Sequence, residues 1–159
     1  MLFRSPAHPW FDGYEKCLNI LGHSYQTNAV HLDLSPRATK AMRSADRTLF
    51  LQMIAADMQC FLSALALCGN LKAAVMSGSV TGKYYFDEFL TAHLPSAYSL
   101  KIRTRLGHGP RGATALYDLT GPGLNVPVFF CGTSPSGDRG VRLAGEIRRN
   151  LTLLKAAGV

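Results

Sequence analysis

What this sequence lacks narrows its class before any motif is weighed. It has no run of the ~18 apolar residues that a helix needs to cross a bilayer. Its opening segment, MLFRSPAHPW, shows neither the apolar stretch nor the small-residue cleavage site of a secretory leader. A soluble, cytoplasmic protein without a membrane partner is the expectation. Cysteine is sparse: Cys17, Cys60, Cys68 and Cys131 contain no Cys-x-x-Cys pair, which argues against zinc spacing and a secreted disulfide framework. Buried thiols, no metal and no cofactor are expected. There is no internal repeat and no low-complexity segment.

Acidic residues are also scarce, 10 against 17 Lys and Arg, giving a net charge of +7. Such an excess draws polyanions by long-range attraction. The basic residues are spread out, and dense only around Arg103, Arg105, His108 and Arg111 and around Arg139, Arg142, Arg148 and Arg149. The 159 residues, 47% of them hydrophobic, suit one domain over 1–159.

What is present alternates between two periodicities. WFDGYEKCLNILG places Phe11, Tyr14, Cys17, Leu18 and Leu21 at helical steps and closes at Gly22. NAVHLDL reads as a strand. ADRTLFLQMIAADMQCFLSALALCG is the longest helical stretch, with Ser44 or Asp46 as cap and Gly69 as stop. LKAAVMSG reads as a strand leading by a tight turn into a helix in SVTGKYYFDEFLTAH. LKIRTRL and ATALYDL flank the Gly-rich GHGPRG as a candidate hairpin, and VPVFFCG is a further strand before a last helix running through Leu154. Strands are thus expected near 28–34, 71–77 and 126–131, with helices from 46–68 and 139–155. The alternation predicts a three-layer α/β/α domain with a mostly parallel central sheet.

In such sheets ligands sit beyond the carboxyl ends of the strands. SGSVTGKYY fails as a phosphate loop: Gly78 and Gly82-Lys83 are one residue too close, and Tyr84 replaces the magnesium-binding hydroxyl. Ser79 as a nucleophile fails on chain order, since the last histidine, His108, precedes Asp118. CGTSPSGDRG is the better candidate, because small and hydroxyl residues before a helix expose backbone N–H groups to an anion. An N-capping loop, with Ser136 or Asp138 as cap and no ligand, fits the same residues.

Four segments together resemble the uracil-DNA glycosylase-like superfamily: HPWFDGYEKCLNIL, YQTNAVHLDLSP, AAVMSGSVTGKYYF and VPVFFCGTSPSG, spanning about residues 8 to 158. The resemblance implies DNA, single-stranded or damaged duplex, as partner. It implies a flipped base stacked on Phe11, or on the neighbouring Trp10, and read at its edge by the amide of Asn28. Thr133, Ser134, Ser136, Gly137 and Arg139 would meet the DNA backbone. These residue types suit that chemistry, because an extruded base needs a π-face to replace its lost stacking and an amide offers both a donor and an acceptor.

The chain departs from the family pattern in two places. The strand and Gly-Pro loop that would position the attacking water are expected to be missing ahead of Pro9, and Cys131 or Thr133 stands where the family has a histidine. The expectation is a base-binding protein with weak or no glycosidic hydrolysis, a DNA glycosylase only if that loop is supplied, and with a sheet edge open to a second copy. No iron–sulfur pattern is present. Two other readings stay open: an α/β enzyme on small nucleotides or sugars using TSPSGDRG for phosphate, and a non-catalytic interaction domain.

Overall fold

The computed structural model describes residues 9–32, 47–77, 86–109, 112–132 and 140–159. The expected caps Ser44 and Asp46, the turn from Gly78 to Tyr85, and the TSPSGDR loop lie outside them. Helix α1 (Pro9–Leu21) comes first, then α2 (Arg47–Leu67), strand β1 (Ala74–Ser77), α3 (Phe86–His93), β2 (Ser99–Gly109), β3 (Gly112–Gly121), β4 (Leu124–Cys131), α4 (Val141–Arg149) and α5 (Leu151–Ala156). The result is a mixed α/β fold around an open four-stranded sheet ordered β1-β4-β3-β2.

The sheet corrects the parallel expectation. Only β1 pairs with β4 in parallel, while β2–β3 and β3–β4 are antiparallel. The cause is connection length: Pro110-Arg111 and Pro122-Gly123 are two-residue links, which can join only antiparallel neighbours. The anticipated LKIRTRL–ATALYDL hairpin is present as β2–β3, and it extends into β4 as a meander. Pro127 is tolerated within β4 because β1 joins only from Val128 onward, so no parallel ladder reaches the proline.

Two cores lie on opposite faces. Ile54, Met58, Phe61, Leu62 and Leu65 of α2, with Phe89 and Leu90 of α3, cover Tyr117, Leu119, Val126, Val128 and Phe130. Cys17 and Leu21 of α1, with Leu143, Ala144, Ile147 and Leu154 of α4 and α5, cover Leu116, Phe129 and Cys131. The period of two along β4 therefore feeds both faces.

Two further expectations change. Residues 28–32 form no strand: Asn28 ends a turn and Ala29–Leu32 are irregular. The final helix is interrupted at Asn150, whose Nδ2 donates to the carbonyl of Glu146 at 2.9 Å and so competes with the backbone ladder.

Helix α4 starts at Gly140, which has φ 79° and sits so close to α1 that an added Cβ would lie 2.6 Å from the Gly13 carbonyl oxygen. Gly140→Ala should cost about 1–3 kcal/mol through overpacking and left-handed strain. Gly145→Ala, inside the same helix with no atom within 4 Å of the new Cβ, should gain about 1 kcal/mol. Urea unfolding midpoints of the two variants should move in opposite directions.

Candidate nucleobase site

The site is built beside the core face of α1, where Tyr14 packs against the same cluster as Cys17 and Leu21. Gly22 ends the helix with φ 87°, its N–H on the Asn19 carbonyl at 3.2 Å and the His23 N–H on the Leu18 carbonyl at 2.9 Å. This double bond pattern reverses the chain at a left-handed glycine. Glu15 then takes hold of the returning segment: it accepts the Ser24 hydroxyl at 2.6 Å and the Tyr25 N–H at 3.0 Å. The carbonyl of Ser24 accepts the N–H groups of Thr27, Asn28 and Ala29 at 3.0–3.1 Å.

Asn28 is part of that turn. Its Oδ1 accepts the Ser24 N–H at 3.0 Å and the Thr27 hydroxyl at 3.1 Å, and its Nδ2 donates to His23 Nδ1 at 3.0 Å. The side chain is exposed, and its amide is spent on local backbone geometry. Phe11, by contrast, stands in an aromatic assembly. Its ring centroid is 5.8 Å from Tyr25 and 5.5 Å from His31, both edge-on, and His31 is 5.3 Å from Tyr14. The Tyr25 hydroxyl lies 3.5 Å from His31 Nδ1. Phe11 remains 37% exposed, and Val30 beside this segment is 61% exposed.

The assembly is pinned to the sheet at the carboxyl end of β1, where the Tyr14 hydroxyl and the buried Ser77 hydroxyl are 2.8 Å apart. Ser77 begins a row that crosses all four strands through Cys131 and Thr114 to Gly107. Thr114 donates its hydroxyl toward Cys131 Sγ at 3.8 Å. Phe11 and the Asn28 turn thus share one end of the molecule. The residues Thr133, Ser134, Ser136, Gly137 and Arg139 lie outside the described ones. Their downstream flank, Gly140, contacts Gly13, two residues from Phe11. Trp10 belongs to the first turn of α1, and its side chain is outside the description.

Sequence reasoning passed over Tyr14, Glu15, Tyr25, His31 and Ser77. Tyr14 and Phe11 are three residues apart on one helix face, a spacing that signals contact. Glu15 and Tyr25 are brought together by the reversal at Gly22; the helix stop is legible in the sequence, but the pairing across it is not.

Burial pushes the Tyr25 phenol well above its ordinary value, with Tyr14, Glu15 and Cys17 adding to the rise. Burial likewise pushes the Cys17 thiol up to about 11, Cys131 reinforcing and Arg148 opposing the shift. No group of three or more His, Cys, Asp or Glu able to hold a metal occurs among the described residues, and no helix among them is long and apolar enough to cross a membrane.

Elsewhere, a shallow groove of about 390 Å³ lined by Thr48, Leu51, Gln52, Ala55 and His93 lies between α2 and α3, elements that cover the opposite sheet face from α1. On that face Tyr117 donates its hydroxyl to Asp87 Oδ2 at 2.6 Å. No family model, no curated protein and no solved structure matches this chain.

The raised Cys17 value carries a pH consequence. A thiol that ionises near 9.0 when unfolded and about 11 when folded stabilises the fold fully below pH 9.0, and that contribution is lost as pH rises through about 11. Urea midpoints should fall over this window in the wild type and fall less in Cys17→Ala. In the native protein at pH 8 the exposed Cys60 should react fast with a thiol reagent, while buried Cys17 and Cys131 react only on unfolding.

Proposed function

We propose that this chain is a uracil-DNA glycosylase-like protein in the restricted sense of a binder of unstacked nucleobases in DNA. The observation that supports it is the aromatic assembly of Phe11, Tyr14, Tyr25 and His31 at the carboxyl end of β1, with Phe11 partly open, in a chain of charge +7. A base laid on Phe11 recovers the stacking it loses on leaving its neighbours, about 1–3 kcal/mol per base. The rings behind Phe11 hold its orientation, and the tie between Tyr14 and Ser77 fixes them to the sheet.

Asn28 has a dual place in this reading. Its amide now closes the turn that carries Tyr25. Reading a base edge requires it to exchange the His23 or Ser24 bond for one to the base, a nearly neutral swap when each bond is replaced. The loop with Thr133, Ser134, Ser136, Gly137 and Arg139 supplies phosphate contacts in the same reading, since its downstream end starts at the Gly13–Gly140 contact.

The proposal stops at binding. Glu15, the carboxylate of this turn, has both oxygens engaged by Ser24 and Tyr25, so it is not free to direct a water. Glycosidic hydrolysis is not assigned to the described residues.

Fluorescence anisotropy with single-stranded oligonucleotides, one containing uracil and one thymine in its place, tests the reading. The wild type should bind both and weaken as salt rises. Phe11→Ala should lower affinity roughly 5- to 150-fold with little change in thermal midpoint, and Phe11→Trp should retain it. Asn28→Ala should abolish any preference for uracil. Absence of binding at low salt, or wild-type affinity in Phe11→Ala, overturns the proposal.

A further inference from the structure

The sheet has two edges, and they differ. The β1 side is four residues long, whereas β2 runs for 11 and, among the described residues, pairs only with β3. A long free edge presents unpaired N–H and C=O groups and invites association with other chains. Here it is dressed in positive charge: Lys101, Arg103 and Arg105 are all exposed. Arg103 is held by Asp118 through two hydrogen bonds, Nε to Oδ2 at 3.1 Å and Nη2 to Oδ1. Lys101 and Arg105 have no ion pair among the described residues.

The register fixes where these cations stand. Lys101 is opposite Asp118, which alternates with Leu116 and so belongs to the face covered by α1, α4 and α5. Arg105 is opposite Ala115, on the face covered by α2 and α3. The irregularity between Ile102 and Thr104 makes this possible, because one extra residue moves the following side chains to the other face. The two free cations therefore bracket the edge from both sides, about 13 Å apart along the strand. A second irregularity follows between Arg105 and Gly107. Outward backbone N–H groups flanked by cations make a binding strip for anionic oxygens.

The direction of β2 relates this strip to the aromatic assembly. β2 is antiparallel to β3, β3 to β4, and β4 is parallel to β1, so β2 rises toward the same end as Ser77. Gly107, two residues beyond Arg105, lies in the row that ends at Ser77, three strand spacings or about 14 Å away. A strand of nucleic acid leaving the Phe11 surface across the carboxyl ends of the strands meets Arg105 first and Lys101 last.

We infer that the outer edge of β2 from Lys101 to Leu106 is a phosphate track for single-stranded nucleic acid, held by Lys101 and Arg105 from opposite faces and by the edge N–H groups between them. Arg103 orients the edge through Asp118 and is not a free contact. The inference rests on the nucleic-acid reading above, and it assigns a surface that the base site does not include.

Anisotropy with a short fluorescein-labelled oligothymidylate at several salt concentrations tests it. The double variant Lys101→Ala, Arg105→Ala should bind at least tenfold more weakly at low salt, and its log K against log salt should flatten by about 1.4, since each single-strand contact contributes about 0.7. The charge-preserving pair Lys101→Arg, Arg105→Lys should keep wild-type behaviour, and so should Lys72→Ala with Lys155→Ala, two exposed cations elsewhere. An unchanged slope in the first variant, or an equal loss in the Lys72/Lys155 pair, overturns the inference. Concentration-dependent dimerisation with intact oligonucleotide affinity also overturns it, showing that the charges only guard the edge. Phe11→Ala separates the two readings: it should weaken binding without changing the slope. An effect of the β2 variant with none from Phe11→Ala leaves the track standing and removes the base site. No binding by the wild type removes both.

Discussion

Everything in this fold leans on β4 being buried on both faces. Phe129 and Phe130 are adjacent and point in opposite directions, yet both are essentially inaccessible. Phe130 belongs with α2 and α3, and Phe129 with α1, α4 and α5. Full burial of each ring is worth about 1.5–3 kcal/mol, and neither core closes without this strand. Among the described residues β4 is also the one strand with neighbours of both directions, so the parallel half and the meander meet in it. Its last residue, Cys131, lies in the same cross-strand row as Ser77, which anchors Tyr14. Core and candidate site are thus two uses of one strand.

The second organising contact is between backbones. Gly13 and Gly140 approach closely enough that α1 and α4 touch main chain to main chain. Side chains on either helix would hold them apart and withdraw the aromatic rings from Ser77. Here the absence of a side chain sets the position of others. Glu15 does comparable work on the other side: by accepting from both Ser24 and Tyr25 it fixes a turn that has little hydrophobic burial of its own.

The sequence pattern revealed helices better than pairings. α1 and α2 were legible because their periodicity and the reversal at Gly22 are local, and α2 at Arg47–Leu67 nearly coincides with the expected 46–68. The hairpin of β2 and β3 was legible from the glycines between them. Its continuation into β4 was not, because alternation of helix and strand suggested crossovers while the two-residue Pro122-Gly123 link forbids one. NAVHLDL is the most instructive failure. His31 does face the aromatic assembly and Leu32 the α2 core, so the period of two reports a segment with two contacts on opposite sides. It does not report a ladder, and the N–H groups of Asn28 and Ala29 are spent on the Ser24 carbonyl. In the candidate site, Phe11 was legible as a helix-face aromatic, whereas Tyr25, His31 and Ser77 converge through contacts distant in sequence.

That distance has a consequence for how the molecule comes into being. The partners of α1 are synthesised far later than the helix itself: Ser77 is 63 residues from Tyr14, and Gly140 is 123 residues from Cys17. At about 5–20 residues per second, the latter gap is roughly 6–25 s of translation. During that interval the apolar face of the helix lacks its α4 partner. The core face of α1 is therefore closed late, and the nascent chain must keep Cys17 and Leu21 from other company until α4 has emerged.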